Sequence, residues 1–113
     1  MIVELDIFSG QPNPTWELSA EQQRELERRV TALVRQKVPA RIFDGLGYRG
    51  MIVRERGNPN PSLRVGSGSL VRGDTVYEDP GRAFEAWLVG TGKGKIDERL
   101  IGAALESMGK PDR

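Results

Sequence analysis

The chain contains neither cysteine nor histidine in its 113 residues. Disulfides are therefore excluded, and so are zinc sites built on Cys or His ligands, a Ser-His-Asp triad, a cysteine nucleophile and a histidine acid–base. Aromatics are scarce at 6%. Charge-free apolar runs such as 100–105 fall far short of the roughly 20 residues a transmembrane helix needs. The first residues, Met1-Ile2-Val3-Glu4-Leu5-Asp6, show no basic stretch followed by an apolar one, so no signal peptide is expected and a cytoplasmic location is the expectation. What remains, 37% hydrophobic and 29% charged residues, suits one globular domain over 1–113 with a modest core.

The net charge of +1 conceals a segregation. Residues 1–21 carry four acids and no base. Residues 22–72 carry eleven bases against four acids, and residues 73–113 carry eight acids against six bases. Thirteen of the 17 bases are Arg, the side chain suited to bidentate pairing with carboxylate or phosphate, although a coding bias toward Arg is the preferred explanation of the count.

Alternation over 2–8 predicts a half-buried strand, with Val3, Leu5 and Ile7 on one side and Glu4, Asp6 and Phe8 on the other. Ser9-Gly10-Gln11-Pro12-Asn13-Pro14 ends it, since proline cannot donate to a ladder. Ser19 with Gln22 three residues on is a capping box opening a first helix. Leu26, Val30, Leu33 and Val34 form its apolar stripe, and Pro39 ends it near 36–37. An irregular connection follows over 38–50. A second strand is expected over 51–55 and a third over 62–65, the latter able to continue through Gly66-Ser67-Gly68 with a bulge. Gly73-Asp74 signals a two-residue hairpin. Asp79-Pro80 opens a second helix with Asp79 as N-cap and Phe84, Trp87 and Leu88 as buried stripe. A third helix buries Ile96, Leu100, Ile101, Ala104, Leu105 and Met108 and stops at Gly109, and the tail from Lys110 is expected to fray. The order β-α-β-β-β-α-α predicts a two-layer α+β domain, a mostly antiparallel sheet of about four strands with helices on one face.

The run Asp6-Ile7-Phe8-Ser9-Gly10-Gln11-Pro12-Asn13-Pro14-Thr15-Trp16-Glu17-Leu18, together with Leu46-Gly47-Tyr48-Arg49-Gly50 and Asp79-Pro80-Gly81-Arg82-Ala83-Phe84-Glu85-Ala86-Trp87-Leu88, resembles a family of small uncharacterised bacterial proteins with a DIFSGxPNPxWxL motif. The resemblance implies a bacterial source and carries no activity, cofactor or partner with it.

The residues themselves offer several candidate chemistries. Glu4 and Asp6 share a strand face, about 7 Å apart from the rise of two residues. They suit a hard cation or acid–base work, or else ion pairing with Arg54 or Arg64 on neighbouring strands; two carboxylates without an Asp-rich calcium loop favour pairing. Tyr48 and Arg49, between two glycines, are the best catalytic candidates the composition leaves, as general acid and oxyanion stabiliser, unless Tyr48 packs on the core and Arg49 pairs with Asp6 or Glu4. The loop 9–16 offers Ser9, Gln11 and Asn13 for hydrogen bonds, two prolines that limit its entropy, and Trp16 as an apolar wall. It reads as a binding lip, or as a stiff connection with Trp16 closing the core. Gly90-Thr91-Gly92-Lys93-Gly94-Lys95 lacks the phosphate-loop pattern and reads as a linker. The last helix is too acidic for a major-groove reader, and the basic segment lacks the aromatic motif of an RNA-binding sheet.

The expected function is accordingly a binding module that recognises a protein or small-molecule partner through an open sheet face and the adjoining loop, with Phe8, Ser9, Gln11, Asn13, Trp16 and Arg54 as contact residues. A two-fold dimer suits the alternating charges of that face. No metal, no cofactor and no membrane partner is called for, and nucleic acid is disfavoured. Two alternatives stand beside this reading: a small enzyme of isomerase, lyase or cyclase type using Tyr48, Arg49 and the Glu4/Asp6 pair, and a nucleic-acid-binding accessory protein.

Overall fold

Alternating apolar and polar residues give strands half-buried on one side, and the computed structural model, which describes residues 1–39 and 47–110, assembles six of them. They are β1 (Ile2–Leu5), β2 (Thr15–Glu17), β3 (Met51–Arg54), β4 (Leu63–Gly66), β5 (Ser69–Arg72) and β6 (Thr75–Glu78). All pairs are antiparallel, in the order β2-β1-β3-β4-β5-β6. Three helices complete the α+β fold: α1 (Ala20–Thr31), α2 (Ala83–Gly90) and α3 (Glu98–Ser107). Among the described residues, no helix is long and apolar enough to cross a membrane.

The sheet has six strands, not about four, for two reasons. Pro12 and Pro14 do not prevent Thr15–Glu17 from folding back on β1, where Trp16 pairs with Val3. Only three residues long, that edge strand is masked in the sequence by the prolines before it. The second reason is Ser67-Gly68. Both residues have positive φ, 53° and 83°, the signature of a type I′ turn, so Gly66 pairs with Ser69 and the chain reverses instead of bulging onward. The hairpin at Gly73-Asp74 forms as its sequence predicts, with Arg72 opposite Thr75.

Helix α1 begins with the full capping box, Ser19 and Gln22 each accepting from the other's backbone N–H at 3.1 and 2.9 Å. It ends at Thr31, not near 36–37. The chain beyond is claimed by the sheet: Gln36 N–H donates to the Val76 carbonyl, Glu78 N–H donates to the Val34 carbonyl, and Arg35 bridges Tyr77. This strip covers the outer side of β6 and leaves Val34 66% and Val38 64% exposed, beside Arg35 and Lys37. At the other margin, Lys95 Nζ donates to the Glu17 carbonyl of β2 at 2.7 Å. The part of the 38–50 connection that holds Asp44, Gly45 and Leu46, and the tail from Pro111, lie outside the described residues.

The core is a single cluster. One face of the sheet supplies Val3, Leu5, Trp16, Met51, Val53, Leu63, Val65 and Leu70. Against it pack Leu26 and Val30 of α1, Phe84, Leu88 and Val89 of α2, and Ile101 and Ala104 of α3. Truncating one of these large aliphatic side chains to Ala costs about 2–5 kcal/mol. Trp87, expected in the middle of the core, is only half-buried at its edge: Phe84 meets it edge-on at 5.8 Å and the Arg29 guanidinium lies 4.9 Å over its ring. Gly50 passes so close to β4 that a Cβ would stand 2.3 Å from the Val65 carbonyl oxygen, and its φ of +110° already requires glycine.

Candidate functional site

Because the three helices cover one face, the strand period of two leaves every alternate side chain on the other. Register carries a row across the whole sheet on that side: Thr15, Glu4, Ile52, Arg64, Val71 and Val76. Ile2 and Arg54 lie beside it. Ile2, Ile52, Val71 and Val76 are half-exposed and outside the core cluster. Their neighbours are charged. Glu4 pairs with Arg54 across β1 and β3, and Glu17 of β2 pairs with Arg56. The open face is thus an aliphatic row between ion pairs.

The loop that borders this face is built around Asn13. Its Oδ1 accepts from the Ile7 and Phe8 backbone N–H groups at 3.1 and 2.8 Å, and its Nδ2 donates to Glu4 Oε2 at 2.9 Å and to Asp6 Oδ1 at 3.4 Å. Arg49 closes the other side, donating from Nη2 to Asp6 Oδ1 and to the Phe8 carbonyl, both at 2.8 Å. Pairing with Asp6 raises the Arg49 pKa above its ordinary value. Glu4, Asp6, Asn13 and Arg49 therefore form one polar unit that clamps the loop, while Ser9 and Gln11 stand exposed at its tip and Phe8 is half-buried at its base. Among the described residues, no group of three or more acidic side chains is arranged to hold a metal ion.

Trp16 is not part of this lip. It is 4% exposed and points from β2 into the core, where Nε1 donates to Thr91 Oγ1 at 2.8 Å and Thr91 Oγ1 donates to the Leu88 carbonyl at 2.5 Å. Alternation decides this: Trp16 pairs with buried Val3, so it must share that residue's face. Tyr48 is likewise separated from its neighbour. Arg49 stands with Asp6, whereas Tyr48 turns into the opposite layer and packs against the core. Tyr48 and the Glu4/Asp6 pair are thus not brought together.

What Tyr48 meets is a buried polar network that sequence reasoning missed. Its hydroxyl donates to Glu85 Oε2 at 2.5 Å. Glu85 is fully buried on α2 and receives Arg82 Nε and Nη2 at 2.9 and 2.8 Å, a bidentate pair. Asp79, also buried, accepts from the Phe84 and Glu85 backbone N–H groups at 2.8 and 3.0 Å and so caps α2 from across a 3-10 turn over Pro80–Arg82. Burial pushes the Asp79 pKa up against those hydrogen bonds, and burial, then the Glu85 charge, pushes Tyr48 well above the ordinary tyrosine range. The available signal was Glu85 itself, set among Phe84, Leu88 and Val89 on an otherwise apolar helix face.

Arg82 links this network to a cleft of about 590 Å³ at the end of the sheet. Gln36, Val38 and Pro39 line it from the strip after α1, Ser67, Ser69 and Glu78 from the β4–β5 turn, β5 and β6, and Arg82 from the turn before α2. Among the described residues, the only non-glycine positions with left-handed backbone are Ser67 and Arg82, at φ 53° and 55°. Both line this cleft. Such conformations cost of order 1–3 kcal/mol and persist where surrounding structure enforces them. Here the turn enforces one and the Glu85 pair the other.

No protein-family model, no curated protein and no solved structure matches the chain.

Proposed function

We propose that this chain is a binding module that meets a protein partner through the open sheet face and the adjoining loop at 9–13. The observation that carries the reading is the row across the sheet, where half-exposed Ile52, Val71 and Val76 alternate with Glu4 and Arg64 on the face without helices. Aliphatic side chains gathered in one patch and edged by charge are the usual composition of a protein contact. Preorganisation adds to it. The loop is already tied by Asn13 and Arg49, so little entropy is lost when a partner seats on it. Trp16 contributes from below by fixing β2, not by touching the partner.

A photo-crosslinking residue placed at Val71 or Ile52 tests this in cells expressing the chain. A discrete adduct is expected from either position and none from Ala103, which is exposed on α3. Phe8→Glu should abolish the adduct while leaving circular dichroism unchanged. An adduct whose mass is twice the chain's identifies the partner as a second copy. Equal labelling from Ala103, or no discrete adduct from the face, overturns the proposal.

A further inference from the structure

We propose that the cleft beside Arg82 is a receptor for a primary ammonium group carried on an aliphatic stem. Several of its polar groups are already spent on partners within the chain. The Gln36 amide is used: Oε1 accepts from Ser69 Oγ at 2.9 Å, and Nε2 donates to the Val38 and Pro39 carbonyls at 3.0 and 3.3 Å. The Arg82 guanidinium is used as well, two nitrogens on Glu85 and Nη1 at 3.4 Å from the Ser107 carbonyl. The Gln36 amide donors are therefore fully committed, and the Arg82 guanidinium is turned chiefly toward Glu85. The acceptors are not committed. The Glu78 carboxylate has no hydrogen-bond or ion-pair partner among the described residues, and neither has the Ser67 hydroxyl. Ser69 Oγ donates to Gln36 and keeps its lone pairs.

The charge balance points the same way. Among the described residues that line the cleft, Arg82 is the only cation, and Glu85 neutralises it directly, with Asp79 close behind. Glu78 then leaves the cleft with an excess of negative charge, which repels a carboxylate or phosphate and concentrates cations. A metal ion would want several oxygen ligands converging from charged groups, and Glu78 alone does not supply them. An alkylammonium wants less: a carboxylate, one or two hydroxyl acceptors, and an apolar wall for its methylenes. Val38 and Pro39 provide that wall. Strand register places Glu78 and Ser69 on the same side of the sheet as Val71 and Val76, so the ammonium can belong to a free amine or to a lysine of a partner lying on the open face.

The test is a titration of ¹⁵N-labelled protein with n-pentylammonium and, separately, with Nα-acetyl-lysine methylamide, followed by amide chemical shifts. Saturable shifts are expected at Ser67, Gly68, Ser69 and Glu78, with hexanoate producing none. Glu78→Gln should weaken both ligands by about tenfold or more, the loss of one charge-assisted hydrogen bond. Glu106→Gln, on exposed α3, should change neither. Tighter binding of the lysine derivative assigns the site to a protein side chain, and tighter binding of the bare amine assigns it to a small metabolite; either supports the chemistry. Shifts spread over the acidic surface and insensitive to Glu78→Gln, equal binding of hexanoate, or no saturable shift would overturn it. Because the probes are small molecules, failure of the open face as a protein contact leaves this result standing, and the reverse also holds.

Discussion

Removing the Tyr48 hydroxyl while keeping its ring isolates what the buried network contributes. In Tyr48→Phe the ring still packs on the core, and Glu85 loses one of three side-chain hydrogen bonds. A hydrogen bond to a charged acceptor in a buried setting is worth about 1.5–3 kcal/mol. For a chain of this size that corresponds to a fall in melting temperature of roughly 4 °C per kcal/mol, so about 6–12 °C. Glu85→Gln keeps the shape and removes the charge, leaving the partly buried Arg82 uncompensated, and should cost about 3–5 kcal/mol. With the carboxylate replaced in this way, the tyrosine donates to a neutral amide, a bond worth only about 1 kcal/mol. The double variant should therefore be less destabilised than the sum of the two singles, by about 1 kcal/mol. Urea denaturation followed by tryptophan fluorescence reads all four proteins, since Trp16 lies in the core and Trp87 at its edge. A loss under about 0.5 kcal/mol for Tyr48→Phe, or strict additivity in the cycle, would refute the view that the hydroxyl, the carboxylate and the guanidinium act as one unit.

The same tyrosine has a signature in pH. Its pKa is raised in the folded state above the ordinary 10.0, so above that pH the unfolded chain loses a proton that the native one keeps. The stabilisation is complete below pH 10 and should fall by about 1.4 kcal/mol per unit as pH rises further, an extra slope absent from Tyr48→Phe in parallel urea titrations. Gly50→Ala should prevent native folding altogether, visible as lost near-ultraviolet dichroism, because its Cβ meets backbone and no side chain can yield. Asn13→Ala should cost about 1–2 kcal/mol and speed hydrogen exchange at the Ile7 and Phe8 amides, with exchange at Val53 unchanged. Trp16→Phe should cost about 1 kcal/mol through its lost hydrogen bond to Thr91, against about 3–5 kcal/mol for Trp16→Ala, both read by denaturant midpoint.

Signals carried by neighbouring residues were legible in advance. The Ser19–Gln22 box, the Gly73-Asp74 hairpin and the α3 stripe each depend on contacts within a few positions, and each formed. Asp79 does cap the second helix, but that helix opens at Ala83 with Arg82 as its N-cap residue, not at Pro80, because a 3-10 turn comes between. What failed was decided at long range. Helix α1 keeps its apolar period through Val34, yet two hydrogen bonds from β6 take Val34 and Gln36 into the sheet. Trp16 looks like a loop residue until β2 is known to pair with β1, and its partner Thr91 is 75 positions away. The turn at Ser67-Gly68 was open to two readings because serine adopts left-handed backbone rarely enough that a bulge at the glycines fits the same letters. At the candidate site, the pairings of Asp6 with Arg49 and Glu4 with Arg54 were foreseeable from strand faces. The clamp by Asn13 and the Arg82 cleft were not, since both depend on where loops return.

One margin of the sheet is covered by the strip at 34–36, and the other is β2, a three-residue strand whose outer carbonyl at Glu17 is held by Lys95. A strand arriving from another molecule finds no ladder long enough to extend, and Arg35 and Lys37 resist its approach on the valine side. Strand addition, the step by which fibres grow edge to edge, is thereby disfavoured at both margins of the described sheet. A body that covered the sheet's flat side, as proposed above, would leave no second such face of the sheet for the next to join.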